Sequence, residues 1–193
     1  MPKVFTQANW MERLRQGKSI YSYAELMRLT KLSAPALRRA LTRLGNRQFL
    51  VSLGKNLYAN TFQMPALEEI ASVLYPPAYI SLESALFRHG VIDQAPHVVH
   101  CATLNKTKSF STALGEIAYF HIKPDLFFGY GAQDRLFPAA PEQAALDFVY
   151  LQRQNGLAPN LDEWNWNHLD RNRLQEMLAP YPETVKKHLT RFM

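Results

Sequence analysis

The sequence predicts an α+β protein, because helical and strand patterns occupy separate stretches instead of alternating as βαβ units. Two helical patterns and a hairpin pattern come first, within residues 22–60. A strand-rich stretch follows, and helical patterns then return. The charge is divided as well, since the excess of basic residues lies in the first third of the chain. We therefore predict two domains, over residues 1–62 and 63–193.

The first domain contains a helix that begins at Ser22. Ser22 and Glu25 match the Ser-x-x-Glu capping box, in which each side chain accepts a hydrogen bond from the other residue's backbone N–H. Leu26 and Leu29 predict the inward stripe of this helix. Another helical pattern over residues 4–16 would complete a three-helix body.

A second helix follows a short break. Ser33 is a favourable N-cap, and Pro35 fits the first turn, where its missing N–H costs little. Leu37, Leu41 and Leu44 fall at i, i+4 and i+7, which is one face of a helix. The other faces carry polar and basic residues: Arg38, Arg39, Thr42, Arg43 and Asn46, with Arg47 just beyond.

A hairpin pattern comes directly after this helix. Strand patterns at 49–53 and 57–59 flank a turn at Gly54, Lys55 and Asn56. Two helices followed by a hairpin is the order of a winged helix-turn-helix, in which the hairpin forms the wing. The sequence therefore predicts a winged helix-turn-helix over residues 1–62, followed by a mixed α+β domain over residues 63–193.

The second helix has the composition of a helix that enters the major groove of DNA. Arginine can bond guanine O6 and N7 bidentately, and asparagine can do the same to adenine, while a leucine seam holds the helix against its neighbour. The alternative is that these arginines form only the solvated side of an amphipathic helix. The order of the elements favours nucleic-acid binding. The candidate DNA-binding residues are Ser33, Arg38, Arg39, Thr42, Arg43, Asn46, Arg47, Lys55 and Asn56.

The charge distribution points the same way. Residues 1–62 contain eleven Lys or Arg and two Asp or Glu, a formal charge of +9. Residues 63–193 contain eleven basic and fourteen acidic residues, a formal charge of −3, so the two parts account for the +6 of the chain. A basic surface confined to one domain is typical of phosphate binding.

In the second domain the patterns predict helices and strands in separate groups. Helical patterns lie at 67–74, 79–90, 141–153, 170–178 and from 182 onward, and strand patterns lie at 98–104 and 116–122. Lys106 and Lys108 are expected on the connection between the two strands, which also carries a short strand pattern at 110–112. Together with Lys123 and Arg135 they form a possible second basic patch. Trp164 and Trp166 lie in a polar stretch, where they either anchor a loop to the core or form an exposed interaction patch.

Composition excludes several classes of protein. The chain has no apolar run long enough to span a membrane, and its first residues lack the apolar core of a signal peptide. The single cysteine, Cys101, excludes an intrachain disulfide and a multi-cysteine metal site. We therefore expect a cytoplasmic protein with no membrane partner.

The sequence offers no positive case for an enzyme. It lacks Gly-x-Ser-x-Gly, His-Glu-x-x-His and a phosphate-binding glycine-rich loop. Capping of a helix start explains Ser81, Glu83 and Ser84. His97 and His100 beside Cys101 suggest a metal site, but residues three apart on a strand point to opposite faces. We expect no catalytic residue, cofactor or metal ion.

Five runs in the second domain carry a resemblance to a known family. The runs are PAYISLESAL at 77–86, HG at 89–90, LGEIAYFHIKP at 114–124, LFFGY at 126–130 and APEQAALD at 140–147. With the winged domain ahead of them, they are similar to the AbiEi family, antitoxin-like transcriptional regulators of abortive-infection (type IV) toxin–antitoxin systems.

The resemblance implies a repressor that binds double-stranded DNA at its own operator and opposes a nucleotidyltransferase-like toxin encoded beside it. It also implies that the C-terminal domain carries the antitoxin activity. The alternative interpretation is a protein- or RNA-interaction module that uses the basic winged domain without operator-specific DNA binding.

Overall fold

The prediction of an α+β fold is confirmed by a computed structural model, which describes residues 6–128 and 138–192. The described part contains eight α-helices and two β-sheets. It divides into two compact units, one formed by residues up to Ile70 with 112–114 and the other by the remaining residues. The division falls inside a helix, Leu67–Leu74, whereas the sequence placed a boundary between residues 62 and 63.

The first unit consists of helices and a small antiparallel sheet. The sheet has the strand order β1-β3-β2, and both pairings are antiparallel. In chain order its elements are α1 (Gln7–Arg15), β1 (Ile20–Ser22), α2 (Tyr23–Thr30), α3 (Ala34–Asn46), β2 (Leu50–Gly54) and β3 (Leu57–Asn60).

Local sequence signals account for how α2 begins. The capping box is confirmed: the Glu25 N–H donates to Ser22 Oγ at 3.2 Å, and the Ser22 N–H donates to Glu25 Oε2 at 2.8 Å. Lys31 ends the helix in the left-handed region, with a φ of 54°. Only Leu32 and Ser33 then separate Lys31 from the first residue of α3, which makes a tight connection between the two helices.

The core of the first unit is formed largely by one face of each helix. Trp10 and Leu14 of α1 pack with Leu26 of α2 and with the leucines of α3. The prediction that Leu29 faces inward is wrong, because this side chain is 39% exposed. Thr30 is buried instead, and its hydroxyl donates to the Leu26 carbonyl at 2.7 Å. A helix of only two turns buries one narrow stripe, and residues four apart occupy it here.

Asn60 joins three parts of the first unit. Its side chain is fully buried, and Nδ2 donates to the carbonyls of Leu14 at 2.7 Å and Lys18 at 2.9 Å. Its Oδ1 accepts from the Phe62 N–H at 3.1 Å. The end of α1, the segment before β1 and the end of β3 are therefore held by one amide group.

The second unit is built around a mixed four-stranded sheet with the strand order β4-β5-β7-β6. Strands β4 and β5 are antiparallel, and β5 and β7 are parallel. The remaining elements, in chain order, are α4 (Leu67–Leu74), which the division crosses, β4 (Ala78–Ile80), α5 (Leu82–Arg88), β5 (Val98–Thr103), β6 (Lys108–Thr112), whose last residue falls in the first unit, β7 (Gly115–His121), α6 (Pro141–Gln154), α7 (Arg171–Met177) and α8 (Glu183–Leu189). Helix α6 contacts α5, α7 and α8, and most of its residues are buried.

Two parts of this unit differ from the sequence prediction. Residues 79 and 80 were expected in a helix, but they belong to β4, where Tyr79 pairs with Ala102 and Ile80 with Cys101. Lys108 was expected on a connection, but it begins β6. At residues 79 and 80 the conformation is decided by pairing with β5, which is distant in sequence. Lys108 begins a short strand at the edge of the sheet, beside β7.

The two tryptophans act as anchors of the core. Trp164 is buried and contacts Phe148, with 5.6 Å between ring centroids. Trp166 is half-buried, and its Nε1–H donates to the Leu161 carbonyl at 3.1 Å. The structure therefore favours the anchoring interpretation over an exposed interaction patch.

We expect Asn60→Ala to lower the free energy of unfolding by about 2–4 kcal/mol, because it leaves two buried carbonyls and a backbone N–H without their partner. Urea unfolding of the full chain, followed by circular dichroism, measures the change. The matched control is Asn172→Ala at an exposed position of α7. Equal stability of the two variants would contradict the role assigned to Asn60.

Candidate nucleic-acid interface

One face of α3 is buried and the opposite face is exposed. Leu37, Ala40, Leu41 and Leu44 form the buried stripe. All nine residues predicted to bind DNA are exposed, namely Ser33, Arg38, Arg39, Thr42, Arg43, Asn46 and Arg47 on or beside α3, and Lys55 and Asn56 in the hairpin turn. The structure thus places every one of them where a partner could reach it.

The exposed residues of α3 are arranged symmetrically about the outward direction. An α-helix turns about 100° per residue. By this geometry Arg39, Thr42 and Asn46 lie within about 30° of the direction opposite the buried stripe. Arg38 and Arg43 lie about 70° to either side of that direction. The helix therefore presents a central line of three polar residues with one arginine on each flank.

The guanidinium groups of this surface are not engaged by the rest of the described chain. Within residues 6–128 and 138–192, no side chain forms an ion pair with Arg38, Arg39 or Arg43. Ser33 occupies the N-cap position of α3, but its side chain makes no capping hydrogen bond. The prediction that Ser33 acts as a cap is therefore correct in position only, and its hydroxyl is not used for that purpose.

The hairpin of β2 and β3 ends in a tight turn that is fixed to α2. Lys55 and Asn56 have φ values of 47° and 60°, which is the pattern of a two-residue type I′ turn. The Tyr23 N–H donates to the Asn56 carbonyl at 2.8 Å. Strand β3 also pairs with β1, which directly precedes α2. Lys55 is therefore held in a defined position within the same unit as α3.

The possible second basic patch lies in the second unit. Lys106, Lys108 and Lys123 are all exposed. The backbone N–H of His121 donates to Thr107 Oγ1 at 3.0 Å, and its Nδ1 lies 3.1 Å from the Asn105 carbonyl. These contacts hold the segment that carries Lys106 beside the end of β7, two residues before Lys123. Lys108 Nζ lies 5.0 Å from the centre of the Phe110 ring. Arg135, the fourth member, lies outside the described residues.

The residues considered for catalysis or metal binding have other roles. Ser84 Oγ accepts from the His100 N–H at 2.8 Å, and Glu83 lies 2.9 Å from His100 Nδ1. Ser81 makes no capping bond with its side chain. Ser81 does occupy the N-cap position of α5 and Glu83 lies in its first turn, so the prediction of a helix start is correct in position. The side chains of Ser81 and Ser84 nevertheless bond to parts of the unit outside the helix instead of capping it.

Charge and burial compete at the Glu83–His100 pair. Burial is the largest single influence and raises the pKa of Glu83, but the hydrogen bond with His100, the hydrogen bond with the backbone of Glu83 and the electrostatic attraction to His100 together outweigh it. The pKa of Glu83 therefore lies below its ordinary value. His97 precedes β5, and Cys101 is buried within that strand. Among the described residues, no group of three or more His, Cys, Asp or Glu side chains is placed to hold a metal ion.

The sequence analysis missed a buried polar cluster around Asp147 of α6. One carboxylate oxygen accepts hydrogen bonds from Tyr79 at 2.8 Å and Ser81 at 2.7 Å. The other accepts from Gln143 Nε2 at 2.7 Å and from the Tyr181 hydroxyl at 3.4 Å. The carboxyl group thus joins β4, α6 and the segment before α8.

Burial dominates the electrostatics of this cluster. Burial raises the pKa of Asp147 to about 7, although the hydrogen bonds from Ser81, Tyr79, Gln143 and Tyr181 each favour the ionised form. Burial also raises the pKa of Tyr79 and of Tyr181, so both remain neutral donors. The sequence signal was the i, i+4 spacing of Gln143 and Asp147 within a helix whose neighbouring residues are apolar.

Comparison with known proteins did not identify a family: no protein-family model matches the sequence, and no curated protein matches it. In the described residues, no helix is both long enough and apolar enough to cross a membrane. Because the comparisons give no family, the functional proposal rests on the exposed face of α3.

We expect Asp147 to contribute stability that is present below about pH 4 and is lost as the pH rises to about 7, because folded Asp147 holds its proton more tightly than an unfolded aspartate does. Asp147→Asn should remove this contribution. Between pH 5 and pH 8 the wild-type chain should lose about 2–3 kcal/mol more than the variant, measured by urea unfolding.

The control for this measurement is Asp162→Asn, which changes an exposed carboxyl group in the same unit. It should keep the wild-type dependence on pH. Identical pH profiles for the wild type and Asp147→Asn would contradict the assignment.

Proposed function

We propose that this protein is a DNA-binding transcriptional regulator and that its first unit is a winged helix-turn-helix. The observation that carries the proposal is the arginine-rich face of α3, which is exposed opposite a buried leucine face. Support comes from the element order, in which α2 and α3 are joined by a tight turn and followed by the β2–β3 hairpin.

In this proposal α3 lies in the major groove. Arg39, Thr42 and Asn46 project toward base edges, where arginine and asparagine can form bidentate hydrogen bonds. Arg38 and Arg43 lie on the flanks of the helix, which suits contact with the phosphates on either side. Lys55 at the tip of the hairpin contacts the backbone.

The charge of the chain supports binding to a polyanion. The formal charge of +9 belongs to residues 1–62, whereas the rest of the chain carries −3. Release of counterions from phosphates supplies most of the sequence-independent affinity, and it needs clustered cations of this kind. Lys106, Lys108 and Lys123 supply a second, weaker electrostatic contribution in this proposal.

The biological role that we propose comes from the resemblance to the AbiEi family. On this interpretation the protein acts in the cytoplasm, represses its own operon and opposes a nucleotidyltransferase-like toxin encoded beside it. Three of the runs that carry the resemblance, at 77–86, 114–124 and 140–147, include parts of α5, β7 and α6 in the second unit. We therefore assign the antitoxin activity to the second unit.

A protein- or RNA-binding module is the second candidate, because exposed arginines also suit RNA and acidic proteins. The exposed line of Arg39, Thr42 and Asn46 favours duplex DNA, since the major groove of A-form RNA is too deep and narrow for side chains to read. Binding to duplex DNA, duplex RNA and single-stranded RNA of the same sequence distinguishes the two candidates.

We expect Arg39→Ala to weaken binding to the DNA upstream of the gene by about 1–3 kcal/mol, with little effect on random DNA, because Arg39 projects toward a base edge in this proposal. Lys55→Ala should weaken binding to both DNAs equally and reduce the salt slope by about 0.9, the effect of one phosphate contact. Fluorescence anisotropy across a salt series measures both.

The matched controls are Arg88→Ala and Lys187→Ala, which remove the same charges from exposed positions of the second unit. Neither should change the affinity by more than a small electrostatic amount. Unchanged affinity in the Arg39→Ala/Arg43→Ala double variant would rule out α3 as the DNA-reading helix.

We also expect the Arg39→Ala/Arg43→Ala double variant to lose repression but to retain protection against the toxin, because the altered side chains are exposed and lie in the first unit. The test is co-expression with the neighbouring reading frame, with both genes under foreign promoters, and growth as the readout. Loss of protection by a correctly folded double variant would contradict the division of the two activities.

A further inference from the structure

Thr42 is an exposed residue of α3 whose hydroxyl group is already hydrogen-bonded within the helix. Thr42 Oγ1 donates to the Arg38 carbonyl at 3.1 Å. The side chain is nevertheless exposed on the central line of the outward face. Since the hydroxyl proton is engaged, the side chain offers a partner its methyl group and a hydroxyl oxygen that can only accept.

Thr42 stands one turn along the helix from Arg39. Three residues advance about 4.5 Å along an α-helix, whereas successive base pairs are separated by about 3.4 Å. Both residues lie within about 30° of the outward direction. A helix lying in the major groove would therefore bring them to base pairs no more than about two steps apart.

The chemistry of the two side chains selects different bases. Arginine is suited to the O6 and N7 acceptors of guanine, and the methyl group of threonine is suited to the 5-methyl group of thymine. Resting on the DNA binding proposed above, we infer that Thr42 is a specificity-determining residue that recognises the 5-methyl group of a thymine, within two base steps of a guanine read by Arg39.

In this proposal the methyl group of Thr42 contacts the base, and its hydroxyl oxygen does not. If Thr42 instead accepted a hydrogen bond, its partner would be the N4 amino group of cytosine or the N6 amino group of adenine. The methyl contact needs no rearrangement of the Thr42–Arg38 bond, and it is lost when either methyl group is removed. The two modes can therefore be separated by changing one methyl group at a time.

The experiment uses the full chain and a pool of duplexes with a randomised central segment. After selection, each thymine of the enriched site is replaced singly by deoxyuridine, which lacks the 5-methyl group. We expect one replacement to weaken wild-type binding about fourfold, the effect of one methyl-sized apolar group. Arg39→Ala should relax the preference for a guanine within two steps of that thymine.

Three variants assign the effect to the methyl group of Thr42. Thr42→Ser should lose the sensitivity to deoxyuridine, whereas Thr42→Val should retain it. The control Thr184→Ser alters an exposed threonine of α8 and should behave as wild type. Circular dichroism establishes that each variant is folded.

The outcomes separate this inference from the function on which it rests. Selection of a site with no methyl-sensitive thymine, or with a sensitivity that persists in Thr42→Ser, would overturn the inference and leave sequence-specific DNA binding in place. Failure to enrich any sequence from the pool would overturn the proposed function and the inference with it.

Discussion

The burial of one face of α3 is the constraint on which the candidate interface depends. Leu37 and Leu44 are almost completely buried, with Ala40 and Leu41 between them. Turning the helix by one residue would bring leucine side chains into water, at a cost of about 1.5–3 kcal/mol for each fully exposed one. The outward direction of Arg39, Thr42 and Asn46 is therefore a consequence of where the leucines pack.

A second constraint keeps the frame around α3 in place. Asn60 bonds to two carbonyls near the end of α1, and the Tyr23 N–H bonds to the Asn56 carbonyl of the hairpin turn. Buried polar groups stabilise a fold when all of their hydrogen bonds are made. These bonds fix the hairpin to α1 and α2, so the lysine at its tip is held within the same unit as the arginines of α3.

The second unit also contains a cluster of buried polar groups, but at its centre is an ionisable carboxyl group. Asp147 is fully buried and receives hydrogen bonds from Tyr79, Ser81, Gln143 and Tyr181. A buried carboxylate without such donors would be far more costly to the fold. The hydrogen bonds offset part of that cost, and protonation offsets part of the rest. The cluster therefore links the packing of α6 to the proton concentration.

Local chemistry made much of the first unit predictable. The capping box at Ser22, the leucine period of α3 and the turn at Lys55 all depend on residues within a few positions of one another. The exposure of the candidate residues within α3 follows from the same periodicity, and Lys55 and Asn56 are exposed because they form the hairpin turn. The exposure of Leu29 could not be predicted in this way, because α2 is too short for its period to define which of two adjacent stripes is buried.

The α+β class, the capping box at Ser22, the leucine period of α3 and the concentration of basic charge before residue 62 could all be predicted from the order of the residues. The tertiary structure alone decided that residues 79 and 80 form a strand, and that Ser81 bonds to a carboxyl group 66 positions away. The physical reason is range. Helix periods and caps are set by neighbours along the chain, whereas strand pairing and buried polar contacts are set by partners that only folding brings together.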